Sequence, residues 1–151
     1  MKEYIFVTLF ISISAILLGH KSNWLVFLGK GGEPDRLEGL IVSVIFLVAL
    51  LLYGVYMGYK KRVNFMKFNS FYWGIGCLIP FIAEFMKPIG KFALIVIPAD
   101  ILFLVPTLGL FYFMKTDFIL VPVISFILSW SAGAIGYFLG SFLTIKVESP
   151  K

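Results

Sequence analysis

Cysteine, histidine and charge are all scarce in this 151-residue chain, and each shortage excludes a class of site. Cys77 is the only cysteine, which rules out an internal disulfide and a cysteine metal cluster. His20 is the only histidine, which removes most zinc sites. Charged residues form 14% of the chain, whereas soluble domains carry about a quarter. We therefore expect no metal site and no cofactor.

Hydrophobic residues take the place of the missing charge, at 60% of the sequence. A chain this short has too little interior to bury that excess, so the lipid bilayer is its expected partner. A net charge of +5 is compatible with nucleic-acid binding, but the basic residues lie at the ends of apolar runs. No nucleic-acid partner is predicted. The abundance of Lys, Ile and Phe is typical of the cytoplasmic (inner) membrane of a bacterium.

Five apolar runs predict an all-α integral membrane protein, a compact single domain over residues 1–151. The runs are continuous rather than alternating, and an open sheet cannot satisfy its backbone in lipid. We expect four or five transmembrane helices, with five favoured and with proline kinks. They are predicted at 4–19, 37–59, 68–86, 92–113 and 118–145. The alternative is an even number of crossings, with 68–86 re-entrant or lying at the interface.

The orientation of the helices is predicted from one basic loop at 60–67, which has aromatic residues on both sides. Positive charge between two aromatic belts is typical of a cytoplasmic loop. The N-terminus then lies inside and the 20–36 loop outside, and five crossings place the C-terminus outside. The first run is expected to stay as a helix, because "AILLGHKS" lacks a signal-peptide cleavage pattern. The predicted lipid-headgroup anchors are Lys60, Lys61, Arg62, Lys67 and Trp73.

The fourth run, "FALIVIPADILFLVPTLGLFYF", carries Asp100 near its middle. An aspartate at mid-membrane opposes insertion by roughly 2.5–3.5 kcal/mol. The run's Leu, Ile, Val and Phe residues favour insertion by roughly 4–8 kcal/mol in total. The run can therefore enter the membrane, with the carboxyl of Asp100 facing protein or water rather than lipid.

The prolines of the fourth run suggest a role for this carboxyl. Pro98 and Pro106 each remove one backbone donor and so free the carbonyl four residues earlier, which for Pro98 is that of Leu94. Thr107 lies on the same face as Asp100 in an unkinked helix. These oxygens would form an ion or proton site, as in broken transporter helices. The alternative is a structural Asp100, which donates a hydrogen bond when protonated or caps a helix.

Small residues recur at helical spacing in two of the predicted helices, and they indicate close helix packing. Each helix holds a GxxxG pair, and the predicted packing residues are Gly54, Gly58, Ser129, Gly133, Gly136 and Gly140. Their partner is either a helix of the same chain or a second protein. Trp130, off this stripe, would fill space against another chain or line a cavity.

No catalytic set is visible, and we predict that the protein is not an enzyme. An intramembrane serine protease needs a histidine facing its serine, but His20 lies at the edge of a loop. An aspartyl protease needs two membrane aspartates. The leading hypothesis is an accessory subunit that packs against a membrane-protein partner or forms a homo-oligomer. The alternative is a small proton- or cation-linked transporter or channel subunit centred on Asp100.

Overall fold

The computed structural model describes residues 2–24, 36–86, 93–113 and 120–148, and 93% of these are helical, with no strand among them. The all-helical prediction is confirmed for this part of the chain. The helices are α1 (Lys2–Leu18), a π-helical turn (His20–Trp24), α2 (Arg36–Tyr59), α3 (Asn64–Met86), α4 (Ala93–Phe103), a 3-10 turn (Val105–Thr107), α5 (Leu108–Phe111) and α6 (Val121–Glu148).

Two of the described helices, Arg36–Tyr59 and Val121–Thr144, are long and apolar enough to cross a membrane. The apolar segments Glu3–Leu18 and Val96–Phe111 are shorter. The run 92–113, expected as one helix, is divided into α4, the 3-10 turn and α5.

Helix α2 ends in a tight turn that joins it to α3. Lys61 adopts a left-handed backbone conformation with φ of 53°. The N–H of Lys61 donates to the Gly58 carbonyl (2.9 Å), and that of Arg62 donates to the Met57 carbonyl (3.0 Å). This pair of bonds is a Schellman cap, which satisfies the last carbonyls of the helix. The turn is shorter than the predicted 60–67 loop, because α3 begins at Asn64. We call this end of the bundle, which carries Lys60–Lys67, the basic end.

Helices α1 and α3 both lie antiparallel to α2. Tyr4 packs edge-on against Phe65 at the basic end, with ring centroids 6.1 Å apart. Ala15 belongs to the same buried cluster as Phe46, near the other end of α1. That other end, where the π-helical turn and the start of α2 lie, is called the far end. Two buried clusters fill the space between these helices, one centred on Phe46 and Trp73 and one on Tyr53 and Phe65.

Helices α2 and α6 run parallel to each other. Gly54 lies against the Gly133 carbonyl. Further towards the basic end, the Thr144 hydroxyl donates to the Tyr59 carbonyl at 3.1 Å. Residue numbers therefore rise in the same direction along both helices. Five consecutive crossings would make the second and the last helix antiparallel, so the chain between α3 and α6 must begin and end at the far end.

The position of α4 shows how this is achieved. Phe103, the last residue of α4, packs on Trp73 in the middle of α3. From Trp73 to Met86 an α-helix rises about 20 Å, and from Phe103 back to Ala93 about 15 Å. If α4 extended towards the basic end, Met86 and Ala93 would be about 35 Å apart, but the chain between them reaches only about 25 Å. Helix α4 therefore runs from the far end to the middle of the bundle.

Helix α5 then leads back to the far end. The N–H of Gly109 donates to the Ser43 hydroxyl (3.2 Å) near the start of α2. The Tyr112 hydroxyl donates to the Ser22 carbonyl in the π-helical turn. Residues 93–113 thus form a hairpin of unequal arms, called the 93–113 hairpin. Its tip, residues 104–107, lies within the bundle.

Candidate functional site

Asp100 lies in α4, the longer arm of the 93–113 hairpin, one turn before its tip. Its side chain is half-buried, and its carbonyl accepts a hydrogen bond from the Leu104 N–H (2.8 Å). Pro98 is exposed and lies inside the continuous helix α4, so it does not end the helix. Of the two prolines predicted to free a carbonyl, only Pro106 lies where the helix is interrupted.

The tip is shaped by Pro106, which is buried in the 3-10 turn. Proline has no N–H, so it cannot donate to the Leu102 carbonyl. The Thr107 N–H donates to the Leu104 carbonyl (3.0 Å) rather than to Phe103, its partner in a continuous helix. The carbonyls of Leu102 and Phe103 consequently lie at the end of α4 without their usual helical donors. The C-terminal end of α4 therefore carries partial negative charge, about one turn beyond Asp100.

Thr107 is fully buried and connects the tip to α6. Its hydroxyl donates to the Leu104 carbonyl (3.0 Å) and lies 2.8 Å from the Ser125 hydroxyl. Because a hydroxyl has one proton, Ser125 must donate in the second bond. Thr107 was predicted to form an oxygen-rich patch with Asp100 and the Leu94 carbonyl. Its role in fixing the tip is clear from these bonds, while a shared ligand with Asp100 stays a prediction.

We expect Thr107→Val to destabilise the protein by about 1 kcal/mol, because it keeps the shape but leaves the buried Ser125 hydroxyl without its acceptor. The free energy of unfolding should be measured in mild detergent for Thr107→Val, for Ser125→Ala and for the double variant. We expect the double variant to lose less free energy of unfolding than the two single variants lose in total. Strict additivity would show that the two hydroxyls are not coupled.

An aromatic cluster lies beside Asp100, on the neighbouring face of α4. The Phe103 ring is 5.1 Å from that of Tyr72 and 5.8 Å from that of Trp73. Trp73 is only 2% exposed. It was expected at the membrane interface as a headgroup anchor, and that expectation is corrected here. Trp73 follows the basic turn by enough residues to reach the middle of α3, where it packs in the core.

Several buried polar atoms in the described part of the chain have no protein hydrogen-bond partner. They include the Asn23 amide at the far end, the Trp73 indole N–H and the Ser129 hydroxyl near the middle, and the Tyr53 hydroxyl towards the basic end. Buried polar groups nearly always bind protein or water, so we expect ordered water beside these atoms.

The predicted small-residue stripes meet each other at the α2–α6 contact. A Cβ added at Gly58 or Gly140 would overlap a backbone carbonyl of the opposite helix, that of Tyr137 or Val55. The same holds for Gly136 against Leu51. The glycines therefore place backbone against backbone within the chain.

Polar residues of α3, which sequence reasoning missed, attach it to α6. The Asn69 amide donates to the Trp130 carbonyl (3.1 Å), and the Trp130 indole N–H donates to the Ser70 hydroxyl (3.0 Å). Trp130 was expected against another chain or a cavity, and these bonds place it between two helices of its own chain. The signal available in the sequence was the pair of adjacent polar residues, Asn69 and Ser70, inside an apolar helix.

The basic end presents its charges to the surroundings. Lys60, Lys61, Arg62 and Lys67 are all exposed, and the Lys60 ammonium lies 5.9 Å from the centre of the Tyr56 ring. No group of three His, Cys, Asp or Glu side chains within the described residues is arranged to hold a metal ion. The sequence matches no protein-family model, no curated protein and no solved structure.

Proposed function

We propose that this is an integral membrane protein in which α1, α2, α3 and α6 cross the bilayer and the 93–113 hairpin enters it from one side. The 24 residues of α2 span about 36 Å, against a hydrocarbon core of about 30 Å. Phe6, Phe71 and Phe142, on three different helices, are 72%, 69% and 70% exposed. Water-soluble proteins rarely expose such large apolar surfaces, whereas lipid accommodates them.

This arrangement has four crossings instead of the five favoured from the sequence. The basic end then faces the cytoplasm, in agreement with the positive-inside rule, and α1 begins and α6 ends on that side. The far end, with the π-helical turn, faces outwards. The membrane would be the cytoplasmic membrane of a bacterium.

Within this frame, we propose that the protein is a small proton- or cation-linked transporter or channel subunit. The observation that carries the proposal is the end of α4 within the bundle, where the helix is interrupted one turn after Asp100 and the Leu102 and Phe103 carbonyls have lost their helical donors. The C-terminal end of a helix carries partial negative charge. In transporters with broken helices, such ends and nearby carboxylates bind cations or protons near the bilayer midplane.

The polar atoms of the bundle interior support the same proposal. Asn23, Trp73, Ser129 and Tyr53 bury polar atoms at successive depths from the far end towards the basic end. Water bound beside them would provide a polar route past the tip of the hairpin. An ion or proton moving through the bilayer needs such a route, because hydrocarbon offers no hydrogen-bond partner.

An accessory subunit would have to bind its partner through a surface other than the GxxxG faces that suggested this hypothesis. Its motivation was the two GxxxG pairs, and Gly54, Gly58, Gly136 and Gly140 all contact the opposite helix of the same chain. A partner would have to bind the large apolar side chains on the outside of the bundle, which also suit lipid.

The proposal is tested by measuring thermal stability in mild detergent while Na⁺, K⁺ and pH are varied. We expect one of these titrations to raise the stability of the wild-type protein, by about 2.7 kcal/mol at a cation concentration of 100 Kd. Asp100→Asn should abolish that response. Flux of the same ion into liposomes should fall with the same variant.

Glu3→Gln serves as the matched control, since it removes an exposed carboxylate at the basic end. It should keep the wild-type response. An equal response in the wild type and Asp100→Asn would overturn the assignment, and so would a wild type that responds to none of the three titrations.

A further inference from the structure

A groove lies at the basic end between the first turns of α1 and α3. Its volume is about 520 Å³, and its lining includes Tyr4, Asn64, Lys67, Phe68 and Phe71. The four α3 residues recur at helical spacing and therefore share one face of that helix. Tyr4 of α1 forms the facing wall and packs on Phe68, with ring centroids 5.7 Å apart.

The groove changes in character along its length. Asn64 and Lys67 are exposed and supply hydrogen-bond donors and one positive charge at its mouth. Phe68 is 8% exposed and forms the inner wall, while Phe71, one turn further along α3, is 69% exposed and continues onto the apolar outside of the bundle. A ligand that fits this lining is anionic at one end and hydrocarbon at the other.

We propose that this groove binds a single anionic phospholipid. The phosphate would bind the Lys67 ammonium and the Asn64 amide, and one acyl chain would lie along Phe68 and Phe71. The positive end of the α3 helix dipole adds positive potential at the same place. The exposed charges of Lys61 and Arg62 lie on the preceding turn and add a general attraction for anionic lipid, while Glu3 at the same end opposes it.

A lipid is favoured over a free anion because the groove opens onto the apolar outside of the bundle. A free phosphate would use only the mouth and leave the aromatic walls exposed. The inference depends on the membrane placement proposed above and not on a role for Asp100, so the ion titrations and the lipid test can fail independently.

The test uses native mass spectrometry of the full chain in detergent, with dioleoyl-phosphatidylglycerol or dioleoyl-phosphatidylcholine added. We expect one phosphatidylglycerol to bind more tightly than phosphatidylcholine. Lys67→Gln should weaken that binding about tenfold, the loss typical of one charge-assisted hydrogen bond. Lys60→Gln is the matched control, because it removes the same charge from a residue that lies over Tyr56, outside the groove lining. It should leave phosphatidylglycerol binding within about twofold of wild type.

Lys67→Arg keeps the charge and should restore most of the binding, which separates a lost contact from a misfolded variant. Equal weakening by Lys60→Gln and Lys67→Gln would overturn the site in favour of general surface charge. Equal affinity for the two lipids would also overturn it. Displacement of the lipid by inorganic phosphate would show that the mouth alone is a free-anion site, which contradicts the proposal.

Discussion

Gly58→Ala is expected to lower the free energy of unfolding by about 1–3 kcal/mol, the range for overfilled sites in well-packed cores. A Cβ at Gly58 would overlap the Tyr137 carbonyl and lie 2.9 Å from the Ser141 N. Both groups belong to the backbone of α6, which cannot turn aside as a flexible side chain does. The two helices would have to separate along their whole contact.

Gly74→Ala is the matched control on a neighbouring helix. Nothing lies within 4 Å of a Cβ added at Gly74. Alanine favours helix over glycine by about 0.8–1.0 kcal/mol, so this variant should be as stable as the wild type or slightly more so. Both variants should be measured by denaturation in mild detergent. Equal effects of the two substitutions would contradict the tight α2–α6 contact.

The same experiment separates contact within the chain from contact between chains. If Gly58 packs on α6 of its own chain, the loss of stability is independent of protein concentration. If the glycines instead join two chains, the loss depends on concentration, because dimer stability follows mass action.

The membrane placement proposed above predicts on which side of the membrane α6 ends. We expect Glu148→Cys to react with an impermeant thiol reagent from the same side as Arg62→Cys. The variant His20→Cys should react from the opposite side. The reason is the parallel packing of α2 and α6, which brings the end of α6 to the basic end, where α2 also ends. Each cysteine should react from one side of the membrane only, so the labelling result is all-or-none.

The labelling should be done in a Cys77→Ser background, since Cys77 is the only native cysteine. Intact cells and permeabilised cells are compared, so that an unreactive site is distinguished from a site on the inner face. If position 148 reacts together with position 20, the protein crosses the membrane an odd number of times. That result would contradict the parallel arrangement.

The sequence predicted the all-helical nature of the described residues, because its apolar runs are continuous rather than alternating. The end of α2 falls at Tyr59, as expected from the charged residues that follow. The start of α3 was placed four residues late, at 68 rather than at Asn64. The polar residues of its first turn look like loop in the sequence, but the cap at Lys61 allows the helix to begin among them.

The path of the 93–113 hairpin could not be predicted from the local sequence. Pro98 and Pro106 look equivalent, yet Pro98 lies within a continuous helix and Pro106 in the break. The chain just after Pro106 has a distant partner, because the Gly109 N–H donates to the Ser43 hydroxyl. A window of twenty residues does not contain both groups.

The small-residue stripes show a similar limit. Their spacing predicts that two backbones approach closely, but the same spacing serves a helix of the same chain and a helix of another. The choice depends on whether the two GxxxG pairs can meet within one chain. They meet because the 93–113 hairpin returns to the far end and so lets α6 run parallel to α2.

In the membrane placement proposed above, the α2–α6 contact forms late in synthesis. Helix α2 leaves the ribosome early, whereas α6, which covers its glycine face, follows every other described helix. Before α6 enters the bilayer, Gly54 and Gly58 would be open to lipid or to another membrane helix with small residues. A chain cut short before α6 would therefore present a dimerisation surface. We expect wrong partners to bind most readily in the interval between the synthesis of α2 and that of α6.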